Sequence, residues 1–207
     1  MVRILAIADE ENKSLWGNWD ERWLERLSAV DLVLSAGDLA PAYLEFIQER
    51  LDVPLLYVRG NHDSFYDVMS PKGCMNIDGK YVNLYGLKIA GLGGSMKYRE
   101  GRDMYTEEEQ AVRVERIVNA LKNNAVTGAS RMIDVLLTHA PCYGYGDLDD
   151  LPHTGFKCFD TLIIQARPRV HLYGHIHMDY GNIKRIIQHP TGTTMINCCG
   201  LYMLELL

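Results

Sequence analysis

Five short apolar runs in this chain each finish on residues that bind divalent metals. Val2–Ala8 is followed by Asp9, and residues 32–36 by Gly37-Asp38. Residues 54–58 lead through Arg59 to Gly60-Asn61-His62-Asp63, residues 133–138 to His139, and Val170–Tyr173 to Gly174-His175-Ile176-His177. Carboxylate, carboxamide and imidazole are the donors that hard and borderline divalent ions take. In the last motif the glycine lets the backbone turn sharply, and two imidazoles one residue apart converge on one cluster if the chain curls. Any one of these groups alone reads as a helix cap or a satisfied polar residue. The set, repeated at five run ends, reads as a metal site.

The elements that must carry these residues follow from the same runs. Short apolar stretches bounded by turn residues read as buried strands. The spacing predicts a helix over 21–28 with Trp23, Leu24 and Leu27 on one face, and a helix over 42–50 started by Pro41. A strand–helix–strand–helix–strand opening implies a parallel sheet, and in open α/β sheets sites form outside the carboxyl ends of the strands. Trp16 and Trp19, in the loop after the first strand, read as packing residues. Residues 81–85 and 87–92 flank Gly86 as a hairpin. Gly93-Gly94-Ser95 then opens a flexible loop carrying Lys97, Arg99 and Arg102, which either are solvated or clamp a substrate anion. Thr106-Glu107-Glu108-Glu109 is a capping box. It begins a helix to about Asn123 with Val114, Ile117, Val118 and Leu121 as its buried stripe. A loop rich in glycine, tyrosine and aspartate follows His139, then a helix over 156–166. Residues 182–188, 193–197 and 202–206 read as antiparallel strands.

The 207 residues suffice for one domain with a sizeable core. Hydrophobic content of 47% and charged content of 23% are those of a globular protein. A net charge of −6 argues against wrapping long nucleic acid, yet a small phosphorylated substrate is compatible with it, because bound metals supply local positive charge. No apolar run approaches a membrane span and no signal-peptide pattern is visible, so a cytoplasmic protein is expected. The five cysteines, Cys74, Cys142, Cys158, Cys198 and Cys199, contain no C-x-x-C pair and read as reduced core fillers. His171 reads as a core histidine or a supporting group near the site, and His189, before Pro190, as exposed in a turn.

With these residues in view, the chain resembles the calcineurin-like metallophosphoesterase superfamily. The family's ordered motifs are Asp-x-His, Gly-Asp, Gly-Asn-His-Asp/Glu, a lone His and Gly-His-x-His. The matches are Asp9, Gly37-Asp38, Gly60-Asn61-His62-Asp63, His139 and Gly174-His175-Ile176-His177. The segment Leu137-Thr138-His139-Ala140-Pro141, with His171 and Tyr180-Gly181, is most similar to the metallophosphoesterase-domain proteins of animals. The resemblance implies an α/β fold, a four-layer α-β-β-α sandwich of two mixed sheets flanked by helices. It also implies two divalent metal ions. Asp38 bridges them, Asp9 and His177 hold the first, and Asn61, His139 and His175 hold the second. His62 sits beside them as the catalytic group, oriented by Asp63 unless that residue merely caps a turn.

One position departs from the pattern, because Glu11 stands where the family has histidine. Glu11 ligates the first metal directly, binds it through water, or leaves it weakly held. Direct or water-mediated ligation is preferred because carboxylates are ordinary ligands of hard ions, and it favours Mn²⁺ or Mg²⁺ over softer ions; Mn²⁺ is the expected metal, with Fe, Zn²⁺ and Mg²⁺ as alternatives. The implied activity is hydrolysis of a small phosphodiester or phosphomonoester by a metal-bridging hydroxide, with His62 protonating the leaving oxygen. Arg99 and His153 are the candidates for substrate contact. A catalytically weakened binding scaffold and a nuclease acting on short oligonucleotides are the competing expectations.

Overall fold

A computed structural model describes residues 1–16, 21–123 and 131–207. In chain order the strands are β1 (Val2–Ala8), β2 (Leu32–Ser35), β3 (Leu55–Tyr57), β4 (Met75–Asn76), β5 (Lys80–Leu84), β6 (Leu87–Leu92), β7 (Ser95–Met96), β8 (Met104–Tyr105), β9 (Val135–Thr138), β10 (Val170–Tyr173), β11 (Ile186–Gln188), β12 (Thr194–Asn197) and β13 (Gly200–Leu206). The helices are α1 (Glu21–Leu27), α2 (Pro41–Leu51), α3 (Glu107–Asn123) and α4 (Lys157–Ala166). One sheet has the order β13-β1-β2-β3-β4 and the other β11-β12-β10-β9-β6-β5. Strands β1, β2, β3 and β4 are parallel, as are β6, β9, β10 and β12. Antiparallel strands close the edges: β13 on β1, β11 on β12 and β5 on β6.

Side chains on a strand alternate between faces, and here both faces are buried. Ile4, Ala6, Leu34 and Leu56 of the first sheet meet Ile89, Val135, Leu137, Leu172 and Ile196 of the second. Leu5, Ile7, Val33 and Leu55 face outward onto Leu27 of α1 and Tyr43, Leu44 and Ile47 of α2. Ala90, Leu136 and Met195 face the other way, onto Val114 and Ile117 of α3 and Phe159 and Leu162 of α4. The result is the expected α-β-β-α sandwich of two mixed sheets, with the carboxyl ends of the parallel strands of both sheets opening on one cleft.

Several local expectations hold in detail. Tyr85 and Gly86 take positive φ, 51° and 78°, and turn β5 into β6 as a tight hairpin. The capping box is reciprocal: the Glu109 N–H donates to Thr106 Oγ1 at 3.2 Å and the Thr106 N–H to Glu109 Oε2 at 2.8 Å. Others differ. The segment after Gly93 is not a free loop, because β7 and β8 pair across it and its cations are engaged, Lys97 by Glu100 and Arg102 by Asp67. Of the three C-terminal strands, β12 runs parallel to β10 and β13 leaves for the opposite sheet. His189 is buried, bonded to Asp160 and to Thr191, each at 2.8 Å. Nothing local announces a partner so distant in sequence. Trp19 and the side chain of Leu24 lie outside the described residues. Among the described residues no helix is long and apolar enough to cross a membrane.

Removing the cap hydroxyl of α3 should therefore destabilise the sandwich. Thr106→Ala is expected to cost about 1 kcal/mol in urea unfolding, with Thr106→Ser restoring most of it.

Candidate metal centre

Strands β1 and β10, one from each sheet, end in the same device. The Glu10 N–H donates to Ala8 O at 2.6 Å around Asp9, and the Ile176 N–H to Gly174 O at 2.8 Å around His175. Both central residues have positive φ, 61° and 69°. These are γ-turns of the rare, strained kind, held only where surrounding structure enforces them. They lock together: the His175 N–H donates to both carboxylate oxygens of Asp9 at 2.9 Å. Gly174 is required there, since a Cβ would lie 2.7 Å from the Asp9 carboxylate.

Asp38, after β2, also has positive φ, 56°. Its Oδ1 accepts from the His62 N–H at 2.8 Å, and its Oδ2 lies 3.3 Å from His139 Nε2. A Cβ on Gly60 would meet Asp38 Oδ1 at 2.0 Å and His139 Cε1 at 2.6 Å, so only glycine lets β3 end this close to both. Asp63 accepts from the Asp38 and Gly60 N–H groups at 2.9 and 2.8 Å. Its carboxylate thus shapes the two loops that present Asp38 and Asn61, and it reaches His62 only through the backbone.

The side-chain orientations suit a cation. His139 Nδ1 lies 2.8 Å from Ala36 O, and His175 Nε2 lies 2.7 Å from Pro152 O. A carbonyl only accepts, so each of these nitrogens carries the hydrogen, and His139 Nε2 and His175 Nδ1 remain as donors to a metal. Asn61 Nδ2 donates to Tyr98 at 3.4 Å, which turns Oδ1 toward His139 Nε2, 3.0 Å away. Donor atoms of Asp38, His139 and His175 all lie within 4.8 Å of one another. Carboxylate, amide oxygen and two imidazoles are a set that fits a divalent ion.

The charges have the same logic. Burial raises the Asp9 carboxyl to about 6 against the opposing pull of His139, with Asp38 adding to the rise. Burial and the Asp38 charge raise Asp63 to about 7. Asp38 itself is lowered to about 2, because the charge and hydrogen bond of His139 outweigh burial. Burial alone would lower His139, but Asp38 and Asp9 outweigh it and raise the imidazole to about 9. Burial and the neighbouring His139 lower His175 to about 3.

The remaining candidates divide. His153 stands at the cleft, its ring 5.2 Å from that of His175 and its Nδ1 2.6 Å from Asp150. Asp147 fixes this loop by accepting from the Gly144 and Gly155 N–H groups at 2.8 and 3.0 Å. His62 is exposed and lines a cavity of about 300 Å³ with Asp38, Leu39 and Phe65. Arg99 is exposed over the Tyr98 ring. Glu11 is not brought to the cluster: its Oε2 accepts from Trp16 Nε1 at 2.6 Å and its Oε1 from the Ala40 N–H at 3.4 Å. Its neighbour Glu10 lies there instead, Oε1 3.3 Å from His177 Nδ1, and forms with His177 and Cys199 a second group whose donor atoms lie within 4.8 Å. Glu10 was legible as part of an acidic run beside Asp9. Cys199 had one signal, its place just past a sixth apolar run, residues 193–197.

The calcineurin-like phosphoesterase family profile matches residues 3–179. The chain belongs to that family. It is 38% identical over 69 residues to the UPF0046 protein T07D4.2 of Caenorhabditis elegans, a match covering 32% of this chain and 16% of that protein. A crystal structure of TT1561 from Thermus thermophilus superposes with a TM-score of 0.62 at 15% identity, covering 96% of this chain and 89% of that one. Another crystal structure superposes with a TM-score of 0.68 at 15% identity, covering 98% and 94%. At such identities the structural likeness speaks for the fold alone.

Metal binding should release protons. Below about 9 the metal-free His139 holds a proton that a ligand must lose. Falling pH therefore opposes binding, about tenfold in affinity per pH unit for one proton, and more steeply below about 6, where Asp9 also protonates. Calorimetric titration with Mn²⁺ in two buffers of different ionisation enthalpy should report at least one proton released near pH 7. A pH-independent affinity would contradict this geometry.

Proposed function

We propose that this protein is a metal-dependent phosphoesterase that hydrolyses a small phosphodiester or phosphomonoester. The observation that carries the reading is the convergence of Asp38, Asn61, His139 and His175 from strand ends of both sheets, with His62 exposed beside them in the same cleft. Two groups of donor atoms, Asp38, His139 and His175 in one and Glu10, His177 and Cys199 in the other, support a reading with two ions. When bound, such ions neutralise the phosphoryl oxygens and acidify a water.

The chain's own residues account for the rest. The Asp38 carboxylate, fixed by the His62 N–H and by Asp63 beneath its own N–H, holds its place between the strand ends. Ala36 O and Pro152 O hold the two imidazoles in one tautomer each, so that no reorientation is needed during turnover. The His62 imidazole, free of the cluster, delivers a proton to the leaving oxygen. His153, its ring tilted against His175 and edge-on to Tyr180 at 5.2 and 5.1 Å, forms the wall against which the substrate's ester group rests. Arg99, exposed over the Tyr98 ring, is the candidate anion contact. The acidic balance of the chain supports a small substrate over long nucleic acid.

A scaffold that keeps the fold without efficient turnover is the second reading, favoured by the turn of Glu11 onto Trp16. The test is hydrolysis of bis(p-nitrophenyl) phosphate by chelator-stripped protein with and without added divalent ion. Turnover is expected to return with metal and to be lost in Asp38→Ala. His62→Ala should slow turnover by about 10²- to 10⁴-fold while metal content is unchanged. No turnover with any divalent ion, in protein that binds metal, would favour the scaffold.

A further inference from the structure

The step from β12 to β13 carries the chain from one sheet to the other across the mouth of the cleft, through Cys198 and Cys199 alone. That step is tightly built. Asn197 Nδ2 donates to Ile176 O at 2.7 Å, inside the His175 turn, while Asn197 Oδ1 accepts from the Cys199 N–H at 2.9 Å. Arg185 donates to the carbonyls of Asn197 and Cys199 at 3.1 and 3.2 Å. Ala8 bridges Cys199 directly. These contacts hold the buried Cys199 thiol beside the γ-turn at Asp9, its Sγ within 4.8 Å of a Glu10 carboxylate oxygen and a His177 ring nitrogen. Cys198 points elsewhere, its Sγ 3.5 Å from Ile196 O within the layer between the sheets.

We propose that Glu10, His177 and Cys199 hold a thiophilic divalent cation, with zinc the natural fit, so that a thiolate supplies the donor missing at position 11. One sulfur, one imidazole and one carboxylate within 4.8 Å are three ligands of a tetrahedral site with a fourth position open. Thiolate ligation selects Zn²⁺ over Mn²⁺ and Mg²⁺. Only a γ-turn at Asp9 sends the next residue, Glu10, toward His177, while Glu11 passes on to Trp16. The side chains sit in graded exposure, the thiol buried and Glu10 and His177 open to solvent, so an ion reaches them from the cleft. The inference rests on the metal-dependent reading of this cleft and specifies one of its two sites.

Zinc-edge X-ray absorption of the unaltered protein loaded with Zn²⁺ is the direct test. A sulfur scatterer at about 2.3 Å is expected; a shell of nitrogen and oxygen alone overturns the proposal. Loading with Co²⁺ should give a thiolate-to-metal charge-transfer band in the near ultraviolet, lost in Cys199→Ser and kept in Cys198→Ser. A band that survives Cys199→Ser also overturns it. The same samples separate this inference from the catalytic one. Asp38→Asn should keep the band and lose phosphodiester hydrolysis. Hydrolysis without a sulfur signal in the unaltered protein removes the thiolate site alone, whereas a sulfur signal without hydrolysis removes the phosphoesterase reading alone.

Discussion

The contact on which the site depends is made between two sheets that share no hydrogen-bonded strand. His139, at the end of β9, reaches across to Ala36 O at the end of β2, and the backbone of His175 reaches across to Asp9. These bonds form only if the two sheets pack with their carboxyl ends level. Small residues permit that approach: Ala6, Ala8 and Ala36 face the opposite sheet, and Gly60 and Gly174 leave no Cβ where Asp38, His139 and Asp9 must lie. Everything the cleft does follows from this seam.

The seam concentrates charge. Three carboxylates, Asp9, Asp38 and Asp63, are drawn into a poorly solvated place, where burial disfavours their ionised forms and each disfavours the next. The His139 imidazole and several backbone N–H groups offset part of that cost. A divalent cation held there would offset the rest with charges the side chains lack. The same reasoning reconciles an overall acidic protein with the proposed phosphoesterase function, because the attraction for an anion would come from the ion and not from the surface.

Three positive-φ residues gather in this region. Asp9, Asp38 and His175 all take positive φ, a conformation worth roughly 1–3 kcal/mol of strain each, and each is bonded to a group from another strand end. The strain has a geometric use. A γ-turn at a strand end reverses the direction of the next side chain, which is why Glu10 meets His177 while Glu11 caps the entry to α2. The loops around the cleft are built differently, on side-chain clamps: Asp147 on its own loop, and Arg113 on Asp78 and Gly93 O, behind the strand that delivers Tyr98 to Asn61.

By itself the sequence determined the elements and the inventory. Apolar runs ending in Asp9, Asp38, Asn61, His139 and His175 announced parallel strands and a candidate metal cleft, because strand period and turn chemistry are local properties. The capping box at Thr106 and the turn at Gly86 were legible for the same reason. Only the tertiary structure decided which of two adjacent glutamates faces His177, that β13 crosses to the first sheet, and that Cys199 stands at the cleft and His189 in the core. Those outcomes depend on how the ends of two separate sheets meet and on partners such as Asp160 and His189, 29 residues apart. No residue spacing encodes a γ-turn at Asp9. It exists because His175, 166 positions along the chain, donates its N–H to the Asp9 carboxylate.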